Sequence, residues 1–464
     1  MDCIVLAAGR SKRMKSRLTK VLHTIAGRPL LHYPVRAALD AGASRIIVVC
    51  SVDSVATIKT NLDAAFGNAQ IECQIQPEAR GTGDAARVGL NRCNSDSVAI
   101  LCGDTPLVDA ENLRTLFSVL EEKKASLVVQ SCVVQEPGSY GRIVRDADQN
   151  VVAIRENSDL RDDYELGINE VNAGIYVGKR AVLAAALGRI GPNNEQGEYY
   201  LTDVVEDIAK SALVVAHRGN PDSLRGVNDR IQLEEAESIM YQRIARRHSL
   251  AGVTVRGNAR IEDTVEIEPD ATIEFGVSLR GRTKIESDAL VEVGCIIVDS
   301  SIGRNAIIKP YSIIEKSSVG GGAQIGPFAR LRPESIIEED AHIGNFVETK
   351  KTIVHRGAKA NHLSYLGDGD IGEKANVGAG TIFCNYDGFK KHKTIIGPGA
   401  FIGSDSQLVA PVTVGPGAYV ASGTTVTKDV PADALAISRV KQENRPDYAA
   451  RLRARLARSA DKKP

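Results

Sequence analysis

From Ile261 to about Val426 an aliphatic side chain recurs at every sixth position for most of the way. Ile261, Ile267, Ile273, Leu279, Ile285, Val291 and Ile297 keep the step. After five-residue steps to Ile302 and Val319 it resumes at Ile325, Leu331, Ile337 and Ile343, and again at Ile396, Ile402, Leu408, Val414, Val420 and Val426. Four places later in most hexads comes a small or β-branched residue, as at Ala271, Ala323, Ala341, Ala400 and Ala418. A period of six is neither the 3.6 of an amphipathic helix nor the 2 of an alternating strand. It predicts a solenoid of short strands joined by tight Gly- and Asp-containing turns, whose stacked coils share a core no single hexad can bury.

The rhythm falters twice. Between Thr349 and Ile371 the hexads dissolve among Lys350, Lys351, Asn361, His362, Ser364, Tyr365 and Gly367. Between Phe383 and Ile396 stands a loop with Asn385, Tyr386, Asp387, Lys390, Lys391, His392 and Lys393. Insertions in a one-dimensional stack gather on one face, so a binding site is expected there. A bare hexad run serves equally well as a rigid spacer or an oligomerisation stem.

The first half follows another pattern. Apolar runs at 4–8, 45–49, 71–75, 98–102 and 127–134 alternate with helical stretches, which predicts a largely parallel α/β sheet with ligands at the carboxyl ends of its strands. From Asp229 the spacing turns helical, with Leu233, Ala236, Met240 and Ile244 on one stripe. The chain therefore divides into 1–228, a helical linker at 229–250, the hexad array at 251–438, and a tail at 439–464 whose nine Lys and Arg outnumber three Asp and Glu. That tail reads as a solvated helix capping the stack, with an anion contact as the sharper alternative.

At 464 residues there is length for two cores. Lys plus Arg equals Asp plus Glu at 58 each, and there is no Trp, so neither a nucleic-acid partner nor insertion into a membrane is expected. Eight scattered Cys without metal spacing predict reduced thiols. The apolar run ending at Ala8 is too short for a signal or a span, which points to a cytoplasmic protein.

The first strand runs into Gly9 and a basic loop, Arg10, Lys12, Arg13, Lys15, Arg17 and Lys20. Backbone N–H groups at such a turn can approach phosphate while Arg13 and Lys20 neutralise it, although a solvated basic turn has the same composition. After a later strand, Gln76-Pro77-Glu78-Ala79-Arg80-Gly81-Thr82 offers an amide able to read a base edge. Asp104, in Cys102-Gly103-Asp104-Thr105-Pro106, suits magnesium, which takes one or two protein oxygens besides phosphate; it suits a helix cap as well.

The L-A-A-G opening, the R-M pair and the following lysine resemble the nucleotidyltransferase signature of sugar-nucleotide pyrophosphorylases. Tyr140-Gly141-Arg142-Ile143, Glu170-Val171-Asn172-Ala173-Gly174, Gln196 to Asp203 and Gly226-Val227-Asn228 narrow the likeness. Joined to a hexapeptide array with Asn361-His362-Leu363-Ser364-Tyr365 and Asn385-Tyr386, the chain closely resembles the bacterial bifunctional family that couples N-acetylglucosamine-1-phosphate uridyltransferase to glucosamine-1-phosphate acetyltransferase. The likeness fails only over the tail.

The resemblance implies a Rossmann-like nucleotidyltransferase domain followed by a left-handed parallel β-helix, assembled as a homotrimer. It implies that Leu6, Ala7, Ala8, Gly9, Arg13 and Lys20 embrace the UTP phosphates and that Gln76, Gly81 and Thr82 hold uracil. Gly103 lies beside Asp104, and Asp104 and Asn228 would grip Mg2+. Gly141, Glu156, Asn172 and Asn228 would hold the sugar. For acetyl transfer it implies His362 as general base, with a reference pKa near 6.5 that suits the task. His392 is a rival by composition. Arg332, Lys350, Tyr365, Asn376, Asn385 and Tyr386 would bind glucosamine 1-phosphate, with Glu348 orienting the amine. Ala379, Asn385, Tyr386, Ser404, Ser422 and Arg439 would meet acetyl-CoA. Ser422 stands where the family commonly has Ala, Thr19 where it has Pro, and Ser11 where it has Gly. If position 11 needs a positive φ, Ser there costs on the order of 1 kcal/mol. The alternatives are a single-activity pyrophosphorylase with a passive hexapeptide half, and a non-catalytic scaffold.

Overall fold

A computed structural model of the chain describes residues 1–9 and 12–460. They form two compact units, one of Met1–Arg247 with Ile261–Asp263, the other of His248–Arg260 with Thr264 onward. The helix Arg230–Leu250, set apart as a linker by its spacing, belongs mostly to the first unit. Its Ala236, Met240 and Ile244 are buried, as an apolar stripe requires.

The first unit is built on one twisted sheet, in the order Val214–Arg218, Leu127–Val133, Glu170–Lys179, Ser97–Cys102, Asp2–Ala7, Arg45–Ser51, Ile71–Gln76. All neighbours are parallel except those of Glu170–Lys179, which runs against both its partners. Two apolar layers bury the faces. Val5, Val48 and Leu101 point into one, and Ile4, Ile47 and Ile100 into the other, which is why the central strands read as unbroken apolar runs. Asp2–Ala7 lies between strands reached in opposite directions, so the loop after it opens at a switch point, where α/β sheets bind ligands.

The second unit is a parallel β-helix. Each strand pairs with the third strand after it until the last step, where Tyr419–Val420 pairs with Leu435–Ala436, giving three sheets of eleven, ten and nine strands. Partners such as Ile273 and Val291, or Ile308 and Ile325, are one coil apart, three hexads or one residue fewer. The aliphatics that set the period are buried, as are Ala271, Ala323, Ala341, Ala400 and Ala418; Ile267, in the second hexad, is only half-buried. Corners at Asp270, Asp288, Asn305 and Asp340 have φ of 65°, 60°, 57° and 56°, a region Asp and Asn tolerate better than most residues.

One expectation is corrected. The stack does not break between 349 and 371: pairing runs through it, and Thr349, Val354, Ala360 and Leu366 fill the inward slots. Thr349 is accommodated because its hydroxyl donates to Ser335 Oγ at 2.9 Å. The period was masked by a polar and a small residue at inward positions. Between the described coils the segment after Cys384 leaves the stack and returns at Thr394.

Candidate active sites

In the first unit, the chain ends of Asp2–Ala7 and Ser97–Cys102 are tied by Gly103 N–H, which donates to Leu6 O at 2.9 Å. Asp104 follows. Lys20 donates to its carboxylate and, at 3.3 Å, to Asn228 Oδ1; Arg13 donates to the same Asn228 oxygen at 3.1 Å. Residues far apart in the chain thus meet as two cations and two oxygen donors. A carboxylate and an amide oxygen turned to one ammonium are the hard donors magnesium takes when phosphate completes its shell, so the residues present fit that ion.

A cleft of about 310 Å3 runs from Ala8 and Gly9 past Ser51 and Asp53 to Gln76. Gln76 is buried, and its amide N–H groups already donate to Gly81 O at 3.1 Å and Asp84 Oδ2 at 2.9 Å. Gly81 has φ of 110°, and a Cβ there would lie 2.5 Å from Tyr199 O. Glycine is therefore required on two counts. Thr82 opens a helix and accepts from Leu201 N–H at 3.0 Å. Position 11 lies outside the described residues. Thr19 has φ of −55°, within the range proline would impose, so the chain keeps the turn without the ring.

Gly141 accepts from Asn172 N–H at 2.9 Å, which brings those two candidates together; the Asn172 side chain donates to Tyr176 Oη at 2.8 Å and accepts from Gly174 N–H at 2.9 Å. Glu156 accepts from Thr202 Oγ1 at 3.0 Å, and burial raises its carboxyl above the ordinary range. It lines a cavity of about 330 Å3 with Tyr200 and Asp203. Burial, then Asp159 and Glu206, push Asp203 up to about 6. A roomier cavity, about 520 Å3, is walled by Cys132, Tyr140, Leu224 and Arg225 and contains none of the candidates.

In the second unit His362 ends the strand Lys359–His362 and sits in register with Asn345 one coil earlier. Its Nδ1 is 2.7 Å from Asn345 Oδ1. An amide oxygen only accepts, so Nδ1 carries a proton and, in the neutral ring, Nε2 keeps its lone pair. The sequence reading missed Asn345, although counting back one coil from His362 reaches it. Tyr365 opens the next strand after Leu363, which turns the corner at φ of 51°.

His362 belongs to a ridge. Gly380 N–H donates to His362 O, Asp405 N–H to Ala379 O and Gly423 N–H to Ser404 O. Arg439 Nη1 then donates to Ser422 O at 2.5 Å. One edge of successive coils therefore carries His362, Ala379, Ser404, Ser422 and Arg439.

Arg332 donates to Glu348 Oε1 at 2.8 Å. The Lys391 ammonium, followed by burial and Arg332, holds Lys350 below the usual lysine range. Three cations, one of them not among the expected site residues, thus converge. Asn385 is buried and donates to Asp368 Oδ2 at 2.5 Å, while Tyr386 is exposed with its hydroxyl on Gly388 O. Asn376 lies on another face, in register with Lys359 and Phe401. His392 is spent on Asp387, 2.7 Å away, which separates it from His362.

Residues 3–162 match the family of MobA-like NTP transferase domains, and 393–428 match the bacterial transferase hexapeptide, six repeats. The chain is 54% identical over 470 residues to the bifunctional protein GlmU of Sorangium cellulosum, covering all of this chain and 98% of that one. It belongs to the bifunctional GlmU family. It is also 46% identical to the GlmU of an Anaeromyxobacter species, over 98% of this chain and 93% of that one. Against the GlmU of Trichlorobacter lovleyi it is 43% identical, over 95% and 96%. As in GlmU, the first half is a uridyltransferase and the second an acetyltransferase built on a left-handed parallel β-helix of hexapeptide repeats. Among the described residues no helix is long and apolar enough to cross a membrane, and all eight cysteines are unpaired.

Proposed function

We propose that the second half acetylates glucosamine 1-phosphate from acetyl-CoA and that the first half then joins the product to UTP, making UDP-N-acetylglucosamine and pyrophosphate. The observation that carries this reading is that each unit gathers its own cations beside its own candidate groups. These are Lys20 and Arg13 in one, Arg332, Lys350 and Lys391 in the other.

In uridylyl transfer a phosphate oxygen of N-acetylglucosamine 1-phosphate attacks the α-phosphorus of UTP. Lys20 and Arg13 offset the charge that develops as pyrophosphate departs. Asp104 and Asn228 would hold Mg2+, which when bound supplies further neutralisation of the triphosphate. Gln76, Gly81 and Thr82 receive the base, and Gly141, Glu156 and Asn172 the sugar. In acetyl transfer His362 Nε2 takes a proton from the substrate ammonium, the amine attacks the thioester carbonyl, and the CoA thiolate departs, taking up the proton that the new amide nitrogen loses to leave as the thiol. Arg332 and Lys350 bind the sugar phosphate, with Tyr365, Asn385 and Tyr386 around it, and Glu348 fixes Arg332; Asn376, on another face, would join such a site from a neighbouring copy. Ala379, Ser404, Ser422 and Arg439 line the path of acetyl-CoA.

A homotrimer is part of this proposal. Tyr311, Phe328 and Phe346 stack at centroid distances of 5.4 Å along an exposed edge that Leu363, next to His362, continues. Such an apolar stripe beside the acetyl site favours a neighbouring copy that completes it. The reduced cysteines and the substrates fit the cytoplasm. The test supplies glucosamine 1-phosphate, acetyl-CoA, UTP and Mg2+ to the intact chain and follows thiol and pyrophosphate separately. Thiol should precede pyrophosphate, and pyrophosphate without added N-acetylglucosamine 1-phosphate should require acetyl-CoA. Pyrophosphate release independent of acetyl-CoA would sink the sequence of reactions.

A further inference from the structure

The loop after Cys384 is held at both ends by one short segment of the preceding coil. At its start Asn385 donates to Asp368 Oδ2, and at its end Lys393 Nζ donates to Asp370 Oδ2 at 2.7 Å. Within it Asp387 accepts from Phe389 N–H and Lys390 N–H, each at 2.7 Å. The loop so framed turns Lys391 toward Lys350.

Behind Asp370 stands His355, in a row that crosses consecutive coils. His355 Nε2 is 2.9 Å from Asp370 Oδ1, and its Nδ1 is 3.1 Å from Glu338 Oε1. Carboxylates only accept, so both contacts are hydrogen bonds only when the ring carries two N–H groups. Glu338 is itself fixed by Arg356 N–H at 3.0 Å, and the Arg356 guanidinium is taken by Glu339. The charged groups in contact with the ring are thus Glu338 and Asp370, with Lys393 behind the second. His355 is half-buried.

We propose that His355, clamped between Glu338 and Asp370, is a positioning residue for acetyl transfer, fixing through Asp370 and Lys393 the loop that carries Lys391 to the sugar phosphate. This rests on the acetyl site assigned above.

The test uses the full-length protein. His355→Leu should raise KM for glucosamine 1-phosphate by about five-fold or more while kcat stays within about two-fold, because the residue acts on binding and not on proton transfer. Amide exchange over 385–393 should quicken, and uridylyl transfer should not change. His355→Arg, a cation with several donors, should restore KM. Lys393→Gln cuts the same row at its other end, and combining it with His355→Leu should add little to either alone. If His355→Leu does not fold, Lys393→Gln must still raise KM and loop exchange. Unchanged exchange in both variants would overturn the relay. Faster exchange with unchanged KM would overturn its role in binding. If Lys350→Ala also left KM unchanged, the fault would lie with the assigned acetyl site.

Discussion

The two halves place their reactive groups by different means. In the sheet-based half, Arg13, Lys20, Asp104 and Asn228 come from loops far apart in sequence and meet only because strand order brings those loops to one edge. In the coil stack, Asn345, His362, Ala379, Ser404 and Ser422 meet because each lies one coil after the last, apart from the single loop that intervenes. Groups held by register on rigid coils need little support from their neighbours. Groups gathered from loops must be cross-linked by mutual hydrogen bonds before substrate arrives, and those of the first half are.

Breaking each half at its centre should separate the two activities. His362→Ala should lower CoA thiol release by about 10²- to 10⁴-fold with pyrophosphate release intact. Asp104→Asn should do the converse, cutting pyrophosphate release by about 10²-fold and leaving thiol release unchanged. Asn345→Ala tests placement by register; without its partner the ring can turn or change tautomer, and acetyl kcat should fall by about ten-fold with little change in KM. Gly81→Ala tests placement by loop. Its Cβ would meet the Tyr199 carbonyl at 2.5 Å, so the first half should lose about 1–3 kcal/mol, read as a lower melting temperature cured by no change of substrate.

The smallest effect expected concerns Asp203. Its folded value of about 6 lies above the ordinary 3.8, so between these pH values the folded state keeps a proton that the unfolded chain has lost. Stability contributed here is fullest below pH 3.8, declines as pH rises, and is gone above about 6. Asp203→Asn should therefore raise the melting temperature of the first half at pH 7.5 and leave it nearly unchanged at pH 4.

The same contrast governs what could be read from the sequence. The coil stack was legible because its inward residues repeat, and the first sheet because its apolar runs alternate with helical spacing. The step across 349–371 was obscured because Thr349 and Ala360 fill inward slots without looking like core, though a hydroxyl satisfied inside the coil is no burden there. Asn345 went unremarked because a lone Asn carries no motif, yet the period itself points to it. The convergence of Lys20 with Asp104 and Asn228 has no counterpart in spacing and came from the family likeness. Lys391 could be named as a loop residue, but its direction depends on Asp368, Asp370 and Asp387, which only folding brings together.

Rungs of a β-helix rise by about 4.8 Å, so the ridge from His362 to Arg439, four steps long, measures about 19 Å. On the proposed reading such an edge acts as a ruler, and a flexible acyl carrier laid along it would deliver its thioester to the histidine only if its arm matches the count of rungs. Adding one whole coil between Ser404 and Ser422 would leave the apolar core content and the chain healthy, yet carry the far anchor about 4.8 Å out of reach. On that reading such an edge would select its donor by length.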